Sequence, residues 1–135
     1  MQETATLGDI VYECKGKIVT MRVLENGNAE FTAMVEGLFL GEQFSRTFSW
    51  DSRFLPDGSG HGEIRGFFNT QSGVMGKYTG NGNGHMLPDG GQIHLGALCY
   101  DNPPGKFSEL NKMAVVYEVN IDKEGNFMSK GWAWK

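Results

Sequence analysis

Apolar and polar residues alternate along most of this chain with a period of two. Ile10, Tyr12, Cys14, Gly16 and Ile18 share one parity, and Glu13, Lys15 and Lys17 take the other. That pattern predicts a half-buried strand. At Val19 the apolar parity shifts to Val19, Met21 and Val23, which predicts a bulge or bend. Asn26-Gly27 then separates two strand-like runs, the signal for a type I′ hairpin turn. Over residues 29–40, Ala, Glu, Met and Leu would tolerate a helix. Ala29, Phe31, Ala33, Val35, Gly37 and Phe39 nevertheless share a parity, and Gly37 weakens a helix by about 1 kcal/mol, so a strand is expected. Gly41-Glu42 makes a turn. Phe44, Arg46, Phe48 and Trp50 then alternate with Gln43, Ser45, Thr47 and Ser49 as a further strand.

From Gly58 to Tyr100 three more strand-like runs follow, with glycine or an apolar residue at nearly every second place. Two are introduced by the same tetrapeptide, Leu55-Pro56-Asp57-Gly58 and Leu87-Pro88-Asp89-Gly90. Proline sets φ and glycine supplies positive φ, so both are turns. Asp101–Gly105 reads as a loop, and Lys106–Asn111 as a segment with room for one helical turn. Met113–Ile121 is apolar on both parities at its start, as in a central strand. After the polar turn Asp122–Asn126, Phe127–Lys135 is a last strand with Trp132 and Trp134 on one face. About eight strands at even spacing, joined by short turns, predict an all-β fold. An antiparallel up-and-down barrel with little or no helix removes exposed edges. The 135 residues suit a single barrel domain over 1–135, with residues 1–8 as a loose arm.

Composition narrows the function classes. The net charge of −4 and the lack of any like-charge block argue against a nucleic-acid partner. No stretch is apolar for long enough to form a membrane-spanning helix, so no membrane partner is expected. The first residues lack a basic region followed by an apolar run, so no secretory signal is read and a cytoplasmic protein is expected. Cys14 and Cys99 each sit in an apolar strand pattern and outside any C-x-x-C. Buried free thiols are expected.

The 20 glycines are about twice the usual share. Gly58, Gly60, Gly62 and Gly66 share a parity with Ile64 and Phe68. Gly76, Gly80, Gly82 and Gly84 share one with Val74, Tyr78 and Met86. Two readings stand. The glycines let strands coil sharply, with aromatics such as Trp132 packed over bare backbone. Or they hollow one end of the barrel into a ligand cavity lined by Tyr78, Gly80, Gly82, Gly84 and Trp132. Gly-Asn-Gly-Asn-Gly lacks the Lys-Ser/Thr of a phosphate loop and the strand–turn–helix context, so no cofactor is expected.

All three histidines, His61, His85 and His94, fall in this region. A turn at Leu87–Gly91 whose flanking numbers sum to about 179 puts His85 opposite His94. His61 then lies on the far side of the same strand, with Glu63 beside it. Opposed Cβ atoms are about 5 Å apart. The constellation therefore yields metal candidates His61, His85 and His94, acid–base candidates Glu63, His85 and His94, or three unrelated histidines.

The runs Gly-Ser-Gly-His-Gly-Glu and Thr-Gly-Asn-Gly-Asn-Gly resemble a group of short uncharacterised bacterial and archaeal proteins. Gly105-Lys106, Leu110-Asn111, Tyr117-Glu118-Val119, Gly125-Asn126 and the terminal Trp-Ala-Trp-Lys extend the likeness over roughly residues 58–135. The strand pattern is also similar in architecture to calycin-type (lipocalin-like) barrels and to the barrel of allene oxide cyclases, with no site residue matched. Three functions follow as expectations: a barrel binding a small apolar or amphipathic ligand, a cyclase or isomerase using the barrel as a reaction chamber, or a protein forming a homodimer through its wall. An apolar cavity favours the first, and a titratable group inside it the second. A filled core with an apolar outer patch favours the third.

Overall fold

The computed structural model describes residues 7–134. Eight strands run in chain order around a closed antiparallel barrel: β1 Leu7–Val23, β2 Ala29–Phe39, β3 Glu42–Phe54, β4 Ser59–Thr70, β5 Met75–Met86, β6 Gln92–Asp101, β7 Val115–Ile121 and β8 Asn126–Trp134. β1 pairs with both β2 and β8, so every strand has two neighbours. None is central in the sense read from Met113–Ile121, whose β7 buries one parity only. Of the arm expected over 1–8, Leu7 and Gly8 already belong to β1, and residues 1–6 lie outside the described residues. The bulge expected at Val19 is a register shift between Ile18 and Thr20.

The turns share one design. At Leu24–Asn28, Leu55–Ser59, Thr70–Val74, Leu87–Gly91 and Asp122–Asn126, the first residue's carbonyl accepts from the N–H three places on, and its N–H donates to the residue four places on. The acceptor turn closes on a left-handed glycine: Gly27, Gly58, Gly73, Gly90 and Gly125 all have φ between 85° and 92°. This is the three-residue loop with a glycine bulge. Side-chain oxygens of Asn26, Asp57, Asp89 and Asp122 brace four of these turns by accepting a backbone N–H two residues on. The type I′ turn expected at Asn26-Gly27 is therefore elsewhere. It lies at Leu40-Gly41, where both residues have positive φ (48° and 80°).

The two barrel ends differ. One carries four of the bulged hairpins and is open. The other is closed by a 3-10 helix, Gly105–Lys112, longer than the single turn expected. Its Phe107 is fully buried, with its ring centroid 4.9 Å from that of Phe39 and 5.8 Å from that of Phe68. Glu42 holds this end together, accepting from the Ser72 N–H at 2.6 Å and pairing with Lys106 at 3.0 Å. The Ser72 hydroxyl, then its N–H and Lys106, hold the pKa of the Glu42 carboxyl down to about 2. No helix is long and apolar enough to cross a membrane among the described residues.

Side chains fill the lumen. Six inward glycines are covered rather than bare. The Tyr117 ring of β7 lies across Gly96 of β6, and its hydroxyl reaches Gly82 of β5. Phe68 covers Gly76, Leu98 covers Gly80, His94 covers Gly84 and Tyr12 covers Gly131.

Candidate functional site

The alternation Phe44, Arg46, Phe48, Trp50 turns four side chains of β3 inward, and one of them is a cation. Arg46 is 4% exposed. Its Nη2 donates to the sulfur of Cys14 on β1 at 3.5 Å. Its Nε and Nη1 have no hydrogen-bond partner, and no carboxylate of the described residues pairs with it. Aromatic faces surround it instead. The guanidinium carbon is 4.2 Å from the ring centre of Tyr12, 5.0 Å from Phe48 and 5.5 Å from Tyr78.

Burying an ion costs several kcal/mol after relaxation, and a desolvated cation–π contact returns about 2 kcal/mol. The rings therefore offset part of the cost. Burial works to neutralise Arg46, but a guanidinium holds its proton so strongly that the group stays charged. Burial likewise pushes the Cys14 thiol up, with Arg46 drawing it partly back. Burial raises Tyr78, Tyr100 and Tyr117 as well, so these phenols keep their protons. The Tyr12 hydroxyl pairs with Ser129 at 3.0 Å, and Ser129 donates to the Glu118 carbonyl at 2.9 Å. The Tyr78 hydroxyl and the Trp50 indole N–H have no hydrogen-bond partner among the described residues. The interior thus carries more buried donors than acceptors.

Two small cavities touch these donors. One of about 20 Å³ is bounded by Arg46, Tyr12, Tyr78 and Tyr117. The other, of about 30 Å³, lies towards the open end against Trp50, Gly62, Gly82 and His94. Phe48, Ile64, Tyr117, Val119 and Phe127 border both.

The histidines do not converge. The β5–β6 register pairs His85 with Ile93, and His94 with Gly84. A slip of one residue from the expected pairing sends the two side chains to opposite faces. His94 faces the lumen, edge-on to Trp50 with centroids 6.4 Å apart and 2.9 Å from the Gln92 side-chain oxygen. Burial, and then the charge of His85, hold it below its usual value. His61 pairs with Asn83 at 2.8 Å. On β4 and β5 the inward parity is that of Phe68 and Tyr78, so His61, Glu63 and His85 face outwards. The acid–base set Glu63, His85 and His94 is therefore split across the wall. No group of three His, Cys, Asp or Glu residues is placed to hold a metal among the described residues.

The remaining candidates separate similarly. Tyr78, Gly80, Gly82 and Gly84 face inwards, but Leu98, Tyr117 and His94 occupy the space over the three glycines. Trp132 faces outwards, because β8 buries the parity of Phe127, Ser129 and Ala133. Cys14 and Cys99 are both free thiols. Only Cys14 is buried, and Cys99 is exposed because β6 buries the parity of Leu98 and Tyr100. Arg46, the residue most at odds with its surroundings, was not among the candidates. Its signal was a charge on the apolar parity of β3.

No family model matches the chain, and no curated protein matches it. Solved structures do. The chain is similar to a conserved protein of unknown function from Rhodopseudomonas palustris, with 10% identity, a TM-score of 0.78 and 99% of each chain covered. A protein of unknown function from Clostridium acetobutylicum matches at 10% identity and a TM-score of 0.78, over 98% of this chain and 100% of that one. A β-barrel-like protein from Acinetobacter baumannii matches at 9% identity and 0.75, over 100% and 99%. These likenesses concern the fold.

Proposed function

We propose that the protein is a calycin-like binding barrel whose lumen takes a small amphipathic guest entering at the open end. One observation carries this reading: the lumen holds buried donors on Arg46, Trp50 and Tyr78 that no acceptor among the described residues satisfies. An unsatisfied buried donor costs about 1–3 kcal/mol, so a guest bearing acceptor atoms gains hydrogen bonds that the barrel's own side chains do not supply. The guest's apolar part would lie at Trp50, Ile121 and Phe127, and the His94 ring would swing aside to lengthen the 30 Å³ cavity. Gly60 shares the inward parity of β4, and an added Cβ there would stand 3.3 Å from the Arg53 carbonyl. The two free thiols accord with a reducing, cytoplasmic setting. The test is titration of the purified protein with amphipathic fluorescent dyes. Saturable binding at one per chain, abolished by Gly60→Leu, is expected. Absence of saturable binding by every dye would overturn the reading.

A second reading rests on the outer wall. Phe67 is 45% exposed and Met75 66%. They border an outer groove of about 590 Å³ with Thr47, Ser49 and Lys77. A filled lumen with an apolar outer groove favours a homodimer through this wall. Sedimentation velocity of wild type and Phe67→Asp decides it: a dimer that the variant dissociates supports it, and a wild-type monomer refutes it.

A further inference from the structure

The cavity beside Arg46 calls for a guest of its own. It touches Arg46, whose charge cannot be neutralised and whose Nε and Nη1 lack partners, and Tyr78, whose hydroxyl also lacks one. At about 20 Å³ it has room for one particle about the size of a water molecule. A water molecule suits this place poorly. It brings two hydrogens of its own to a site already in excess of donors, and it leaves the charge unbalanced. A monoatomic anion accepts from several donors at once and neutralises the guanidinium. The second cavity adjoins it, and the same five side chains stand between the two chambers.

We propose that the barrel holds a compact monovalent anion of the halide class at its centre, bound by the Arg46 guanidinium and the Tyr78 hydroxyl. The inference rests on the reading that the lumen accepts an acceptor-bearing guest, and it specifies the chemistry of the innermost position. Size selects against sulfate, phosphate and carboxylates, which exceed the chamber. Arg46 acts as a fixed receptor for the ion, and Tyr12 and Phe48 position its guanidinium from the two flanks.

Two measurements test this. Crystals of the wild-type protein soaked in bromide should show an anomalous peak within hydrogen-bonding reach of Arg46. Thermal melts at constant ionic strength should place the midpoint in chloride or bromide a few degrees above that in gluconate, rising with the logarithm of halide concentration. Arg46→Met should melt alike in all these salts. A variant too unstable to melt leaves the bromide peak to decide. No lumenal peak, with equal wild-type midpoints in chloride and gluconate, overturns the proposal. Dye binding at the open end is scored separately. Dye uptake without a bromide peak sinks the anion site and spares the binding barrel. A peak without dye uptake establishes the anion site and sinks the amphipathic guest.

Discussion

Gly82→Ala and Gly60→Ala make the same change at two inward-facing strand glycines and should have opposite effects. At Gly82 an added Cβ falls on the Tyr117 hydroxyl, and it stands 2.6 Å from the Leu95 carbonyl and 3.1 Å from Tyr117 Cζ. The carbonyl belongs to the paired backbone of β6 and cannot step aside. The phenol is confined by Gly96, where an added Cβ would stand 2.6 Å from the same hydroxyl. Overpacking of this kind costs about 1–3 kcal/mol. At Gly60 the nearest atoms stand 3.3 Å and 3.6 Å away, and φ is not positive. Restricting the unfolded chain there gains about 0.4–1 kcal/mol. For a chain of this length each kcal/mol moves the melting midpoint by about 3–5 °C. Gly82→Ala should therefore melt roughly 3–15 °C below wild type, and Gly60→Ala at or slightly above it. Scanning calorimetry on the three proteins reads both. A Gly82→Ala midpoint at or above wild type would show that the space over this glycine is vacant, and the packing argument would fall.

The other expectations concern the closed end and the thiols. Phe107→Ala should cost about 3–5 kcal/mol, the range for a fully buried phenylalanine, read as a lower denaturant midpoint; a loss under 1 kcal/mol would mean the helix does not seal the barrel. Glu42 has a lowered folded value near 2 against about 4.3 unfolded. Its contribution is fully present above about pH 4.3 and is lost as pH falls towards 2. Glu42→Gln should flatten the stability profile in that window, and an unchanged slope counts against the clamp. Cys99 should react with a thiol reagent in the native state and Cys14 only after unfolding; equal native rates would contradict the inward parity of Cys14.

The period-two pattern by itself determined the fold class. Which residues of a strand share a face is a local property of the extended backbone, and turn residues bound each strand. That was enough to predict the barrel, the bulge beside Val19 and β2 in place of a helix. The pattern also put Arg46 on the parity of Phe44, Phe48 and Trp50, so its burial was legible. Its lack of a counter-ion was not, because the groups around it come from β1 and β5, distant in sequence. Register was beyond the pattern's reach as well. One residue of slip in the β5–β6 pairing separates His85 from His94, and hydrogen bonding around the closed barrel sets that register. The glycine faces show the same division. The sequence marks where backbone is bare, but whether such a face is a cavity depends on what crosses it. Here Tyr117 crosses from β7 over Gly96 to Gly82, a contact between three strands that only the closed barrel brings together.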